Sequence, residues 1–177
     1  MPRLSILAVA LSLLVAGCSD DPATPAPTPA TPVNKFVFTA AMSAANEVPP
    51  IANAESTATG NATLTMNTTR DAAGQITAAT FDVSVTFAGF PPGNSATLAH
   101  IHTGASGVAG GVLVAMVPNP GEVTFPNGTG SYVRSGFPVT PVDIANQIIA
   151  NPGGYYFNVH TALNPGGALR GQLVRQP

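Results

Sequence analysis

Histidine is scarce in this chain, and two of its three copies stand two residues apart, at His100 and His102, with Ile101 between them. On a β-strand that spacing sends both imidazoles to one face, where neutral ring nitrogens can converge on one ion. The third, His160, follows Tyr156 and Asn158 at the same period of two, opposite Phe157 and Val159. Near the C-terminus Arg170 and Gln172 oppose Leu169 and Leu173 in the same manner. If these three segments are neighbouring strands, His100, His102, His160 and Arg170 form one cluster, with Asn158 and Gln172 in its polar surround. Three imidazoles, with water or Glu47 as a weaker fourth donor, suit copper or zinc. The competing reading is that the histidines satisfy backbone groups or cap a loop, because no carboxylate can be assigned from sequence to orient them.

Other chemistry finds less support. Glu47 has no partner acid placed near it for general base work. No serine stands in a Gly-x-Ser-x-Gly elbow. The glycine-rich segment from Gly104 to Gly111 lacks the following Lys-Ser/Thr of a phosphate loop, and reads as a flexible connection beside the histidines. The single cysteine, Cys18, leaves no thiol for a disulfide or a thiolate metal site. No catalytic residue and no reaction is assigned. Charged residues make up only 8% of the chain and form no basic cluster, which argues against nucleic acid as a partner.

The elements that must position these residues are strands. Phe36, Phe38, Ala40 and Met42 fall on one face of a segment from Lys35 to Met42. From Thr57 to Asn67, Ala58, Gly60, Ala62, Leu64 and Met66 interleave with threonine and asparagine, and after a turn Phe81, Val83 and Val85 alternate with Thr80, Ser84 and Thr86. Further strands are predicted over 97–103, 112–117, 128–133, 155–161 and 168–174, separated by Gly, Pro and Asn clusters. One helix interrupts them, with Thr140 as N-cap, Pro141 at the first helical position, Asp143 in the first turn and an apolar stripe of Ile144, Ile148 and Ile149. The expected fold is all-β: a Greek-key, immunoglobulin-like or superoxide-dismutase-like β-sandwich with one short crossover helix.

Ala45-Asn46-Glu47-Val48-Pro49-Pro50, Ala99-His100-Ile101-His102-Thr103-Gly104, Asn158-Val159-His160-Thr161, Asn164-Pro165-Gly166-Gly167 and Leu169-Arg170-Gly171-Gln172-Leu173 resemble, in order, the CHRD (chordin-type) domain family. The resemblance implies a β-sandwich outside the cytoplasm and implies no reaction. The family's acidic residue before the Ile-Arg-Gly pattern is replaced here by Ala168, which would weaken any site that this carboxylate supports. A looser similarity to copper/zinc superoxide dismutases rests on the His-x-His strand and a nearby arginine, without enough histidines for their full ligand set.

At the other end, Arg3, the apolar run from Leu4 to Leu14 and Val15-Ala16-Gly17-Cys18 read as an export signal resembling the bacterial lipobox. Residues 1–17 are then the lipoprotein signal peptide, Cys18 the lipidated anchor, and 18–33 a Pro/Ala/Thr-rich tether that favours extended polyproline-like conformers. The folded domain is 34–177. The expectation is an exported bacterial lipoprotein of the cell envelope, and by resemblance to lipoprotein sorting in enteric bacteria, where the absence of Asp after the anchor favours the outer membrane, Ser19 implies that membrane. It meets the membrane through lipid and acts as a binding or interaction module for a protein or surface ligand. A copper- or zinc-binding, redox-capable protein and a structural surface protein are the alternatives.

Overall fold

A computed structural model describes residues 33–119 and 121–177. The 1–17 segment, Cys18 and the tether up to residue 32 lie outside the described residues. The domain is built of β1 (Val33–Ser43), β2 (Thr59–Arg70), β3 (Ile76–Ala88), β4 (Asn94–Thr103), β5 (Val112–Ala115), β6 (Thr124–Phe125), β7 (Gly130–Pro138), α1 (Asp143–Ala150), β8 (Tyr155–Thr161), β9 (Leu169–Gln172) and β10 (Val174–Arg175).

The strands pair antiparallel in the order β5-β4-β8-β9-β1-β2-β3-β7, with β6 added to β4 and β10 to β1. This is not a meander. The chain passes from β3 to the far side at β4, returns to place β7 beside β3, and crosses again so that β8 lies against β4. The two ends of the sheet are tied by side chains: the Tyr132 hydroxyl donates to the Met116 carbonyl at 3.3 Å and Arg134 donates to Val117 at 3.2 Å. The sheet therefore curls nearly to closure, and the all-β expectation holds in a barrel-like form.

Alternation decides which faces turn inward. Phe81, Val83 and Val85 are buried while Ser84 and Thr86 are exposed, and β2 buries Gly60, Ala62, Leu64 and Met66 in the same way. Each large side chain so buried contributes roughly 1.5–3 kcal/mol before chain entropy is charged against it. In β4 the inward residues are Ala96, Ala99 and Ile101, because a register shift between Ala96 and Leu98 breaks the period of two before the histidines.

The helix differs from its expected start. It begins at Asp143, and Thr140 and Pro141 lie ahead of it, so Thr140 is not the cap. The Ile144 and Ala145 N–H groups instead bond the Pro141 and Val142 carbonyls at 3.1 and 2.9 Å, which occupies donors that a threonine hydroxyl would otherwise serve. Its buried residues are Ile144, Ala145 and Ile148, and it forms the crossover from β7 to β8.

Candidate functional site

The outward face of β4, β8 and β9 carries the polar residues. Across these strands His102 pairs with Tyr156 and Tyr156 with Gln172, His100 pairs with Asn158 and Asn158 with Arg170, and Leu98 pairs with His160. The three predicted segments are thus consecutive neighbours in the sheet. Each of His100, His102 and His160 offers a ring nitrogen, and these atoms all lie within 4.8 Å of one another. His100 Nδ1 and His160 Nε2 are 3.1 Å apart. Two nitrogens on one tetrahedral zinc stand roughly 3.3 Å apart if each Zn–N bond is about 2.0–2.1 Å, so this pair is already close to ligand spacing.

Backbone carbonyls set the tautomers. His102 Nδ1 faces the Gly110 carbonyl at 3.0 Å and His160 Nδ1 faces the Pro165 carbonyl at 2.9 Å. A carbonyl only accepts, so each Nδ1 carries the proton and each Nε2 presents its lone pair to the cluster. A second hydrogen bond that fixes the ring in this sense is what metal-ligating histidines use. In the metal-free arrangement His100 Nδ1–H can donate to His160 Nε2. His102 Nε2 is buried and has no partner among the described residues.

Burial keeps all three rings neutral. It pushes His100 down to about 4, helped by the neighbouring His160 and His102. Burial also lowers His102 against the raising effect of the Gly110 carbonyl, and lowers His160 against that of Pro165. At neutral pH the lone pairs are therefore available.

The remaining predicted residues form the cover of this face. Arg170, expected beside the histidines, is only 2% exposed, and its guanidinium donates to the Ala105 and Val108 carbonyls at 2.7 Å each. It lies 3.6 Å over the Tyr156 ring, which stacks on His102. Gln172 donates to the Gly104 and Gly153 carbonyls. The glycine-rich loop is thus a fastened lid. Gly110 is required in it because a Cβ there would collide with the Thr103 backbone, and its own N–H donates to the Tyr156 hydroxyl.

Glu47, expected as a weak fourth ligand, does not join the converging donors. It accepts a hydrogen bond from Asn158 Nδ2 at 2.6 Å, which holds it on the other side of that amide. Burial raises its carboxyl to about 7, although Arg170, Asn158 and the Val48 N–H each favour the charged form. A Cβ on Gly167 would come within 2.9 Å of both Glu47 carboxylate oxygens, so only glycine lets the backbone approach this pair.

Sequence reasoning missed Glu55. It is fully buried and accepts from Thr161 Oγ1 at 2.8 Å and from Asn164 and Asn94, stapling the segment after β1 onto β8. A buried acid in a chain with so few charges was the signal available. Beside this staple, residues Glu47 to Asn53 and Leu163 to Gly167 enclose a cleft of about 510 Å³.

A family model described as the CHRD domain matches residues 38–173. The chain belongs to the CHRD domain family. No curated protein and no solved structure matches it. Every segment that carried the resemblance lies inside the matched range, and in this CHRD domain those segments meet. Asn46 bonds the Arg170 carbonyl at 3.1 Å, Glu47 bonds Asn158, and Pro165 orients His160. Ala168 is fully buried next to this junction.

Proposed function

We propose that this protein is an exported, lipid-anchored CHRD domain that binds copper or zinc through His100, His102 and His160. The observation that carries the reading is the buried, unpartnered Nε2 of His102 inside a group of three neutral imidazoles. A buried acceptor without a donor costs about 1–3 kcal/mol, and a cation at this point removes that cost. Support for the anchor comes from Val15-Ala16-Gly17-Cys18, and Ser19 favours the outer membrane of the cell envelope.

Metal analysis and calorimetry on the full chain in detergent test the site. One equivalent of copper or zinc is expected at neutral pH, lost on replacing any one of the three histidines by alanine. Uptake should persist at pH 6, where an ordinary imidazole near 6.5 is already mostly protonated, because these rings are held below that value. Absence of copper and zinc uptake at neutral pH would end the metal reading.

A second reading, an interaction module for a protein or surface ligand, is favoured by the cleft. Its rim exposes Val48 and Leu163, at 42% and 50%, beside Pro49 and Pro50. Serine at both apolar positions should abolish ligand capture while leaving metal uptake intact.

A further inference from the structure

Two buried side-chain acceptors lack a hydrogen-bond partner among the described residues, and they belong to the same patch: His102 Nε2 and Asn158 Oδ1. Asn158 pairs with His100 across β4 and β8 and shares its face with His160, two residues on. Its amide orientation is fixed. Nδ2 donates to Glu47 at 2.6 Å and to the Leu169 carbonyl at 3.2 Å, and a backbone carbonyl cannot donate in return. Leu169 lies on β9 and His100 on β4, on opposite sides of β8, so an amide whose Nδ2 turns to β9 has its oxygen directed the other way, to the β4 side.

The two orphans cannot satisfy each other. With Nδ1–H of His102 committed to Gly110, its Nε2 is an acceptor, as is Asn158 Oδ1. Flipping the tautomer would only move the shortage to Nδ1, which would then face a carbonyl with no proton between them. The patch leaves two acceptors without a donor in either state.

We infer that Asn158 selects what occupies the open position of the histidine site: a ligand that carries a proton, such as water, an alcohol or a primary amine, in preference to a bare anion. This rests on the metal reading proposed above. Once a metal takes the His102 lone pair, Asn158 Oδ1 is still an acceptor with both of its amide protons used elsewhere. A protic ligand donates to it, whereas azide or a halide sets its own lone pairs against it.

The full chain in detergent, loaded with Cu(II) to full occupancy, is titrated with azide and followed by electron paramagnetic resonance. Asn158→Leu keeps the size of the side chain and removes the acceptor, so it should bind azide about tenfold more tightly than wild type, the worth of one hydrogen bond. Equal azide affinities in the two metal-loaded proteins would overturn the inference and leave the metal site standing. Failure of wild type to take up copper or zinc would instead remove the metal reading itself. If Asn158→Leu does not fold, wild type alone decides. Pulsed resonance in D2O should show a strongly coupled exchangeable deuteron from a bound water, distinct from the weakly coupled remote imidazole protons, and its absence overturns the inference.

Discussion

Glu47→Gln should make the metal-free protein progressively more stable than wild type as pH rises from 4.5 through 7. In the folded state burial lifts the Glu47 carboxyl from 4.5 to about 7, and the unfolded chain releases that proton first. The folded form thus binds more protons across this window, so the stability Glu47 contributes is full below 4.5 and is lost as pH climbs through 7. The displacement from 4.5 to about 7 corresponds to at most about 3.4 kcal/mol. Partial solvent screening of the carboxylate trims this to about 2 kcal/mol. The histidines act with the opposite sign, since their lowered values make stability fall as pH drops below 6.5, but they are common to both proteins and cancel in the difference. Urea denaturation of both proteins with chelator present, at intervals from pH 5 to pH 8, reads the effect. Gln keeps an oxygen for the Asn158 amide, so the mutant should fold. A mutant-minus-wild-type difference that stays constant across the series, within about 0.5 kcal/mol, would refute the reasoning, because Glu47 would then titrate alike in folded and unfolded chains.

Val83→Asp places an unpaired charge at a position 2% exposed and should cost about 4 kcal/mol or more, while Thr86→Asp on the wet face of the same strand should stay within about 1 kcal/mol. Equal losses in thermal melts would contradict the assignment of faces. Arg170→Ala strips two charge-assisted hydrogen bonds that a buried guanidinium gives to loop carbonyls and should cost about 3 kcal/mol, with new protease cleavage between residues 104 and 111. Unchanged protease resistance would show that Arg170 does not fasten the loop. Cys18→Ser should move the protein from the membrane fraction to the soluble one, since a single acyl chain at about 0.8 kcal/mol per buried methylene gives only reversible binding and none remains. A mature wild-type N-terminus other than a modified Cys18 would reject the anchor.

The strands were legible because burial on one face writes a period of two into the residues themselves. Phe81, Val83 and Val85 needed no partner to be assigned inward. The same rule put His100 and His102 on one face, and His160 on a face with Asn158. Local pattern also misled at the helix, where the composition of Thr140-Pro141 fits a cap but the backbone satisfies the first turn through the Pro141 and Val142 carbonyls. Likewise the glycine-rich loop reads as flexible until Arg170, far along the chain, is seen to hold it.

An all-β domain with three histidines outward on its strands can be read from the residues alone, since side-chain alternation and turn chemistry are local properties. It took the folded chain to make β4, β8 and β9 neighbours, to cover their polar face instead of leaving it wet, and to set the Gly110 and Pro165 carbonyls against the imidazoles. It alone turned Glu47 away from the histidines and onto Asn158, a contact spanning 111 residues of sequence. Such contacts depend on which strands the crossovers bring together and on how the loops close over them. That is settled by the shared cost of burying all these polar groups at once, and no single segment records it.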